Sequence, residues 1–367
     1  MSRAERGELL ERTIRAIGPP DADAAARTAA LLDAKAKPPG SLGHLEELAC
    51  RLAAIHGRVP EAPPRPAIVV AAADHGATAR GVSAYPPEVT AQMLANFASG
   101  GAAICVLTRG AGARLVVVDA GVLDAPELPE IRVEVVDGVR GTADLSLGPA
   151  MARSTAIALV ERGIALAHRL ADEGFDVIGV GEMGIGNSTA ASALAAGLLP
   201  ADPSSVCGPG TGLDEEGLHR KIGVVRRGLE ANGLSRADAD AIEVLAAVGG
   251  LEIAFLVGVI LGASTRRVAV LLDGFITGSA ALVARQLAPA CVGSMVAATR
   301  SPEPGHALVL DALGLEPVLE LRLRLGEGTG AALALPLLRA AVAIVSDMAT
   351  FDSAGVSGPA SAVPVDA

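Results

Sequence analysis

Short apolar runs rich in β-branched residues recur along the chain, and most are followed by segments with helical spacing. A run that is apolar throughout is typical of a strand buried on both faces, as in a parallel sheet covered by helices. The pattern therefore predicts an α/β fold with a parallel Rossmann-like sheet covered by helices. The predicted strands are 67–73, 114–121, 175–181 and 267–274, with 131–138 and 291–298 as weaker candidates.

The sequence also indicates how the chain divides into domains. Residues 1–58 have helical spacing, interrupted by the loop KPPGSLG at 37–43, and predict a helical segment separate from the main body. The Pro-rich stretch VPEAPPRP at 59–66 predicts a hinge. The large α/β domain is expected at 66–350, and the tail at 353–367, low in complexity, is predicted to be disordered.

Composition narrows the functions open to this chain. A formal charge of −11 and the absence of Trp argue against a nucleic-acid surface. The four scattered cysteines, without a CxxC pair, indicate reduced thiols. The most apolar run, 253–263, is too short to span a bilayer, and the first residues lack the apolar core of a signal peptide. We therefore expect a soluble cytoplasmic protein with no nucleic-acid or membrane partner.

Four glycine-rich loops, each with an acid, stand at or near predicted strand ends: ADHGATARGVSAYPP, GEMGIGNST, DGFITGS and the region around RLGEGTG. Ligands of open parallel sheets bind beyond the carboxyl ends of the strands, so these loops are the expected site. Two of the acids are unusually isolated. Glu182 stands at the tip of an apolar strand, where a solvated loop acid is the alternative interpretation, and Glu327 lies between two glycines before an apolar helix.

The loop at Glu182 also permits a different function. Gly179, Gly181 and Gly184 match the GxGxxG fingerprint of dinucleotide-binding folds, which would indicate a nicotinamide-dependent oxidoreductase. Against this, Asp202 lies in a turn, whereas the fingerprint requires an acid at the end of a second strand. The following helix begins with Asn-Ser-Thr, residues that cap a helix rather than leave its backbone open to a pyrophosphate.

The stretch CGPGTGLDEEGLHRK contains a second candidate binding element. Backbone N–H groups around Gly208, Gly210, Thr211 and Gly212 can converge into a nest that binds an anion. Lys221 lies two turns further on and reaches a phosphate only if the loop folds back, and a simple turn is the alternative interpretation. The six histidines form no HxxxH or HxH pair, so no metal site is expected. For His75, a structural hydrogen bond is favoured over catalysis.

These stretches resemble the nicotinate-nucleotide–dimethylbenzimidazole phosphoribosyltransferase family. The resemblance implies a homodimer, with a large Rossmann-like domain and a smaller, mostly helical one. It implies transfer of the phosphoribosyl group of nicotinate mononucleotide to 5,6-dimethylbenzimidazole with inversion. The products are α-ribazole 5′-phosphate and nicotinate, used to build the lower-ligand nucleotide of cobalamin, with no cofactor. The matching stretches, in family order over about residues 35–350, are KPPGSLGHLEELA, AADHGATARGVSAYPPEVTAQM, GVGEMGIGNSTAASA, HRKIGVV, VGGLEIAFLVGVILGA, VLLDGFITGSAALVA and RLGEGTGAALALP.

The resemblance also assigns roles to individual residues. The family's catalytic base corresponds to Glu327, its second active-site acid to Glu182 and its phosphate-binding lysine to Lys221. Where well-known members have a small hydroxyl residue and an amide in the aromatic-base pocket, this chain has Tyr85 and Met93. The further residues expected to bind substrate are Gly184, Gly208, Gly210, Thr211, Gly212 and Leu325.

Alternatives remain open from the sequence. The same reaction with another benzimidazole, a purine or a phenolic acceptor is one, the nicotinamide-dependent oxidoreductase is another, and a non-catalytic carrier of a base or nucleotide is a third. The strength of the expected base is also open. Burial would raise the pKa of Glu327, whereas the positive end of the helix that follows would lower it.

Overall fold

The protein is described by a computed structural model that covers residues 7–234 and 240–358. Six strands form one sheet, and every pair of neighbours in it is parallel. The strands are β1 (Pro66–Ala73), β2 (Arg114–Gly121), β3 (Ile131–Val133), β4 (Val177–Met183), β5 (Ala269–Leu272) and β6 (Met295–Ala297). Their order across the sheet is β3-β2-β1-β4-β5-β6. The predicted α/β fold with a parallel sheet is confirmed.

Helices fill the connections between the strands except the one from β2 to β3, where residues 122–130 form no helix. The described residues contain two 3₁₀ helices, Gly76–Arg80 and Pro289–Ser294, and fifteen α-helices. The α-helices are α1 (Glu8–Ala16), α2 (Ala22–Asp33), α3 (His44–His56), α4 (Val89–Ala98), α5 (Ala103–Ala111), α6 (Arg153–Asp172), α7 (Asn187–Leu198), α8 (Pro203–Val206), α9 (Glu215–Ala231), α10 (Ala241–Val248), α11 (Leu251–Thr265), α12 (Phe275–Leu287), α13 (Pro304–Leu313), α14 (Thr329–Asp347) and α15 (Phe351–Ala354).

The core is packed by small residues, which suits a chain with only 2% aromatic residues. Every residue of β1 is buried, and so is every residue of α11 except the last. Helix α11 packs against α6 with almost no space between the two backbones. A Cβ atom added at Gly163 of α6, or at Gly258 of α11, would collide with backbone atoms of the other helix. The run at 253–263 is therefore a buried core helix, as expected.

Two compact units make up the chain, and each is described by itself. The first contains the described residues up to Pro19 together with Arg65–Leu335, and it holds the whole sheet. The second contains Pro20–Pro64 and the described residues from Pro336 onward. These bounds differ from the predicted 1–58 and 66–350 at both ends of the chain.

Helix α1 explains one of these differences. It belongs to the first unit because its start is bonded to α6: one carboxylate oxygen of Glu161 accepts the N–H groups of Gly7, Leu9 and Leu10 at 2.9–3.2 Å. At the other end, α14 begins in the first unit and continues into the second. The predicted disordered tail begins inside α15, and its residues 359–367 lie outside the described residues.

The KPPGSLG loop of the second unit is held by a buried ion pair. The ammonium of Lys37 lies 2.8 Å from the carboxylate of Glu46, and both side chains are almost fully buried. The same carboxylate accepts the backbone N–H of Leu42 at 2.9 Å. These contacts lower the pKa of Glu46, although burial opposes them. The loop is thus fixed in shape within its unit.

Two segments pass a length-and-hydropathy test for a membrane span, Val89–Ala111 and Thr329–Asp347. The first consists of two separate helices, α4 and α5. The second is α14, and more than half of its most apolar window is buried inside the protein. Core helices pass the same test, so this is weak evidence for a membrane span.

Overpacking at the contact between α6 and α11 should destabilise the fold. We expect Gly258→Ala to lower the free energy of unfolding by about 1–3 kcal/mol, because the added methyl group meets the backbone of α6. Gly110→Ala is the matched control, since Gly110 is an exposed residue of α5 with free space around it. That change should be neutral or stabilising by about 0.5–1 kcal/mol. Urea denaturation compares the two, and equal stability of both variants would contradict the packing argument.

Candidate active site

A cavity of about 300 Å³ lies in the first unit, at the carboxyl ends of β4 and β5. This is the edge of the sheet at which the glycine-rich loops were expected to meet. Of the predicted site residues, eight line the cavity: Tyr85, Met93, Glu182, Gly184, Gly210, Thr211, Leu325 and Glu327. Gly208, Gly212 and Lys221 do not line it.

Glu327 sits on a turn with an unusual backbone. Gly326, Glu327 and Gly328 all have positive φ angles, of 84°, 62° and 83°. This left-handed conformation costs a residue with a side chain about 1–2 kcal/mol, so the surrounding structure must hold it. The turn lies directly on β4, where a Cβ atom at Gly181 would collide with the backbone of Glu327 and Gly328. The N–H of Glu327 also donates to the carbonyl oxygen of Glu182, at 3.2 Å.

The Glu327 carboxylate is buried, with 4% of the residue exposed. It accepts the backbone N–H of Ile104 at 3.4 Å. Ile104 lies in the first turn of α5, and the N-cap residue of this helix, Ala102, makes no side-chain cap. Burial raises the pKa of Glu327, and the bond from Ile104 lowers it only partly. Burial is therefore the larger of the two opposing effects. The helix start that donates a hydrogen bond to Glu327 is that of α5. The sequence had suggested an interaction with the helix that follows Glu327, which is α14.

Glu182 lies next to this turn, at the end of β4. Burial, reinforced by the negative charges of Asp273 and Glu252, raises the pKa of Glu182 to about 8. The side-chain amide of Asn187, in the first turn of α7, donates a short hydrogen bond to one carboxyl oxygen. The other oxygen lies so close to Gly326 that a Cβ atom at that position would collide with it. At neutral pH this carboxyl is mainly protonated.

Asp273 is a third buried acid at the site, and it is not among the site residues predicted from the sequence. It follows β5 directly, in the loop DGFITGS, and accepts the N–H groups of Gly328 at 3.1 Å and Gly330 at 2.6 Å. Burial raises its pKa to about 7 against the effect of these bonds. The only signal in the sequence was its position at a strand end. Within residues 7–234 and 240–358, no group of three His, Cys, Asp or Glu residues could hold a metal ion.

Lys221 supports the glycine loop from behind. Its ammonium is fully buried and donates to the carbonyl oxygen of Gly208 at 2.9 Å and to the hydroxyl of Ser188 at 3.0 Å. Burial lowers the pKa of Lys221. The predicted contact of this lysine with a phosphate stays a prediction; its two hydrogen bonds here go to the protein and shape the loop. The loop's other anchor is Glu303, which accepts the N–H of Gly210 at 2.9 Å.

The segment at Tyr85 is joined to the same loop. The hydroxyl of Thr211 accepts the backbone N–H of Ala84 at 3.1 Å and lies 3.1 Å from the hydroxyl of Ser83. Tyr85 itself is 55% exposed at the cavity. The apolar wall also contains five residues that were not predicted from the sequence: Val89, Met183, Ile185, Phe275 and Ile276.

The glycines of the dinucleotide fingerprint have a packing role. A Cβ atom at Gly181 would collide with the turn that carries Glu327, and one at Gly184 would lie 2.5 Å from the carbonyl oxygen of Ala73. At Gly179 it would lie 3.1 Å from Ala331. At these three positions the space where a side chain would begin is thus filled by protein. His75 makes a buried hydrogen bond to Glu252, 2.8 Å between Nε2 and Oε1, so the structural interpretation of this histidine is confirmed.

Buried carboxyls, a glycine loop and an apolar wall at the strand ends of a parallel sheet define an α/β enzyme site for an anionic substrate beside an apolar one. A family model described as phosphoribosyltransferase (DBI_PRT) matches residues 17–356. The chain therefore belongs to this phosphoribosyltransferase family, which confirms the resemblance seen in the sequence.

Similar proteins and solved structures extend this result. The nicotinate-nucleotide–dimethylbenzimidazole phosphoribosyltransferases of Chloroflexus aggregans and Roseiflexus sp. are each 51% identical to this chain, over 95% of it and 98% of their own length. A crystal structure of the protein of that name from Thermus thermophilus matches with a TM-score of 0.86 at 45% identity. The match covers 92% of this chain and 100% of that one.

Glu182 should make the stability of the fold depend on pH. Its pKa is about 8 in the folded chain and near 4.5 when unfolded, so its stabilising contribution is present at low pH and is lost as the pH rises through this range. In the parent protein, the free energy of unfolding should fall as the pH rises from about 5 to about 8. We expect Glu182→Gln to make this slope less steep, by up to about 1.4 kcal/mol per pH unit. Glu316→Gln, at an exposed position outside the cavity, is the control. Urea denaturation at several pH values measures the slope, and an unchanged slope in the Glu182 variant would refute the assignment.

Proposed function

We propose that this chain transfers the phosphoribosyl group of nicotinate mononucleotide to 5,6-dimethylbenzimidazole, giving α-ribazole 5′-phosphate and nicotinate. The product is the lower-ligand nucleotide of cobalamin. The observation that carries the proposal is Glu327, a buried carboxylate with a raised pKa, on a strained turn beside an apolar wall. The names of the relatives, which align over nearly the whole chain, support the same reaction.

The reaction requires a base at the acceptor ring. One nitrogen of the benzimidazole attacks the anomeric carbon of the ribose, and the other nitrogen gives its proton to Glu327. The bond between the anomeric carbon and the pyridine nitrogen breaks, and its electron pair cancels the positive charge of the nicotinate ring. Attack from the opposite side inverts the anomeric carbon from β to α. The raised pKa of Glu327 makes it a stronger base than an exposed glutamate.

Glu182 has a complementary role in this proposal. With a pKa of about 8 it is mainly protonated at neutral pH, so it adds little negative charge beside Glu327. Its O–H can donate a hydrogen bond to an oxygen of the nucleotide substrate, while Asn187 fixes the orientation of the carboxyl group. The balance of protons and electrons in the transfer is complete without a cofactor or a metal.

The 5′-phosphate is expected at the loop that contains Gly210 and Thr211, both of which line the cavity. Lys221 places its positive charge behind this loop and holds its shape through the carbonyl oxygen of Gly208. Glu303 now accepts the N–H of Gly210. A phosphate that binds this N–H therefore has to replace the Glu303 carboxylate there.

A cytoplasmic homodimer is part of the proposal. The family resemblance supports the dimer, and the formal charge of −11 supports a protein without nucleic-acid partners. We also propose that it has no membrane partner, since Val89–Ala111 is divided into two separate helices and more than half of the most apolar part of α14 is buried. Light scattering of the purified protein measures the subunit number.

Replacing the base tests the proposed function. We expect Glu327→Gln to lower kcat about 10²–10⁴-fold, because the amide cannot accept the benzimidazole proton. The change is nearly isosteric, so the fold should be retained. Glu316→Gln, an exposed glutamate outside the cavity, serves as the control and should keep parental activity. Mass spectrometry of the products after incubation with nicotinate mononucleotide and 5,6-dimethylbenzimidazole gives the rates. Activity of the Glu327 variant within about threefold of the parent would remove it from this role.

The choice of acceptor should depend on Tyr85 and Met93, which line the cavity together. A flat ring and a deformable thioether recognise an acceptor by shape and stacking, and such pockets discriminate between rings differing by a methyl group only about 10–200-fold. We expect 5,6-dimethylbenzimidazole to be preferred and benzimidazole to be accepted. Tyr85→Ala should change product ratios in an equimolar mixture of acceptors and leave the affinity for nicotinate mononucleotide unchanged. Identical ratios for parent and variant would show that Tyr85 does not face the base.

A further inference from the structure

We propose that Asp273 is a positioning residue for this reaction, because its buried carboxylate holds the turn at 326–330 in the strained conformation that presents Glu327 to the cavity. The expected effect of Asp273 on catalysis rests on the proposed function. Its structural part, the anchoring of the turn, stands on contacts within the protein.

The carboxylate of Asp273 bonds the last strained residue of the turn, Gly328, and the start of the helix that follows it, at Gly330. One carboxylate oxygen accepts the N–H of Gly328 at 3.1 Å, and the other accepts the N–H of Gly330 at 2.6 Å. Asp273 itself is fixed, since its carbonyl oxygen accepts the hydroxyl of Thr299 at 2.8 Å. Only 4% of the residue is exposed. Two strand ends thus hold the turn, β4 through the carbonyl oxygen of Glu182 and β5 through Asp273.

The turn needs such an anchor. Three successive residues have left-handed backbone angles, and two of them are glycines, which reach many other conformations at little cost. The N–H groups of Gly328 and Gly330 belong to the start of α14, where backbone donors have no partner within the helix. At Gly330 there is no room for a side chain, because a Cβ atom would lie 2.7 Å from Asp273 and 2.8 Å from the hydroxyl of Thr299. Without the carboxylate, these donors lose their acceptors and the strained conformation loses its support.

The charge of Asp273 has a second effect at the site. The groups that face Glu182 are Asp273 at the end of β5, Glu252 of α11, Asn187 of α7 and Glu327 of the turn. After burial, the charge of Asp273 contributes most to the raised pKa of Glu182. A variant without this charge should therefore let Glu182 ionise at lower pH. This titration reports the charge of Asp273 at the site, whereas a fall in kcat with a smaller change in KM reports the positioning role, which a merely structural aspartate would not show.

The decisive variant is Asp273→Asn, which keeps the shape of the side chain. One amide oxygen still accepts an N–H, but the amide nitrogen now faces the other glycine N–H, a donor against a donor. We expect faster hydrogen–deuterium exchange in the peptide containing 326–330, and a shift of the Glu182 titration to lower pH in ¹³C NMR. We also expect kcat to fall about 10–100-fold with a smaller change in KM, since misplacing a reacting group by about 1 Å has effects of this size.

Thr299→Val is the second variant, in case the first does not fold. It keeps the carboxylate but removes the hydroxyl that holds the carbonyl oxygen of Asp273, so exchange at the turn should rise less and the Glu182 titration should stay in place. Glu303→Gln removes a carboxylate from the glycine-loop side of the cavity, and it should leave both exchange at the turn and the Glu182 titration unchanged.

The outcomes separate this proposal from the proposed function. If hydrogen–deuterium exchange at the turn is as slow in both Asp273→Asn and Thr299→Val as in the parent protein, the anchoring role is overturned. Loss of kcat in Asp273→Asn with parental exchange and a parental Glu182 titration would also overturn it, and would indicate a direct contact with substrate. If the parent protein forms no product from nicotinate mononucleotide and 5,6-dimethylbenzimidazole, the proposed function fails. Exchange and titration in the unliganded protein still decide whether Asp273 anchors the turn.

Discussion

The close contact between Gly181 of β4 and the turn at 326–328 is the constraint on which the site depends. With no side chain at Gly181, the turn backbone lies directly on the strand, and the N–H of Glu327 reaches the carbonyl oxygen of Glu182. This contact brings two carboxyls that are 145 positions apart in the sequence to one wall of the cavity. Any larger residue at 181 would push the turn, and Glu327 with it, away from the sheet.

Because these acids are packed together away from water, their pKa values are raised. Three neighbouring carboxyls cannot all be ionised in a poorly solvated site, and burial raises the pKa of Glu182, Asp273 and Glu327 alike. The charges of Asp273 and Glu327 each add to the raised pKa of Glu182, which lies at about 8. For Glu327, burial raises the pKa and the N–H of Ile104 lowers it only partly. One member is thus available as a base while another remains protonated, a division that suits proton transfer near neutral pH.

Much of this arrangement was predictable from local patterns. Continuous apolar runs gave the parallel sheet, because strands buried on both faces need apolar residues at every position. An isolated acid at a strand end marked Glu182, because ligands bind at that edge. Glu327 stood out as a single acid between two glycines before an apolar helix. Asp273 was missed because its role is fixed by glycine N–H groups 55 and 57 positions later in the chain. The burial of the Lys221 ammonium against Gly208 and Ser188 was not predictable, because no pattern in the sequence shows which residues folding brings around it.

Residue types and their spacing were thus enough to predict the class of fold and the chemical type of the site, and the motifs carried the resemblance to the family. A spacing of a few residues is enough to predict a strand, a helix or a glycine loop. Which oxygen faces which N–H group, and how deeply each carboxyl is buried, can be seen only in the folded chain. Those properties depend on distances between residues far apart in the chain, and pKa shifts arise from the burial and neighbouring charges that packing creates.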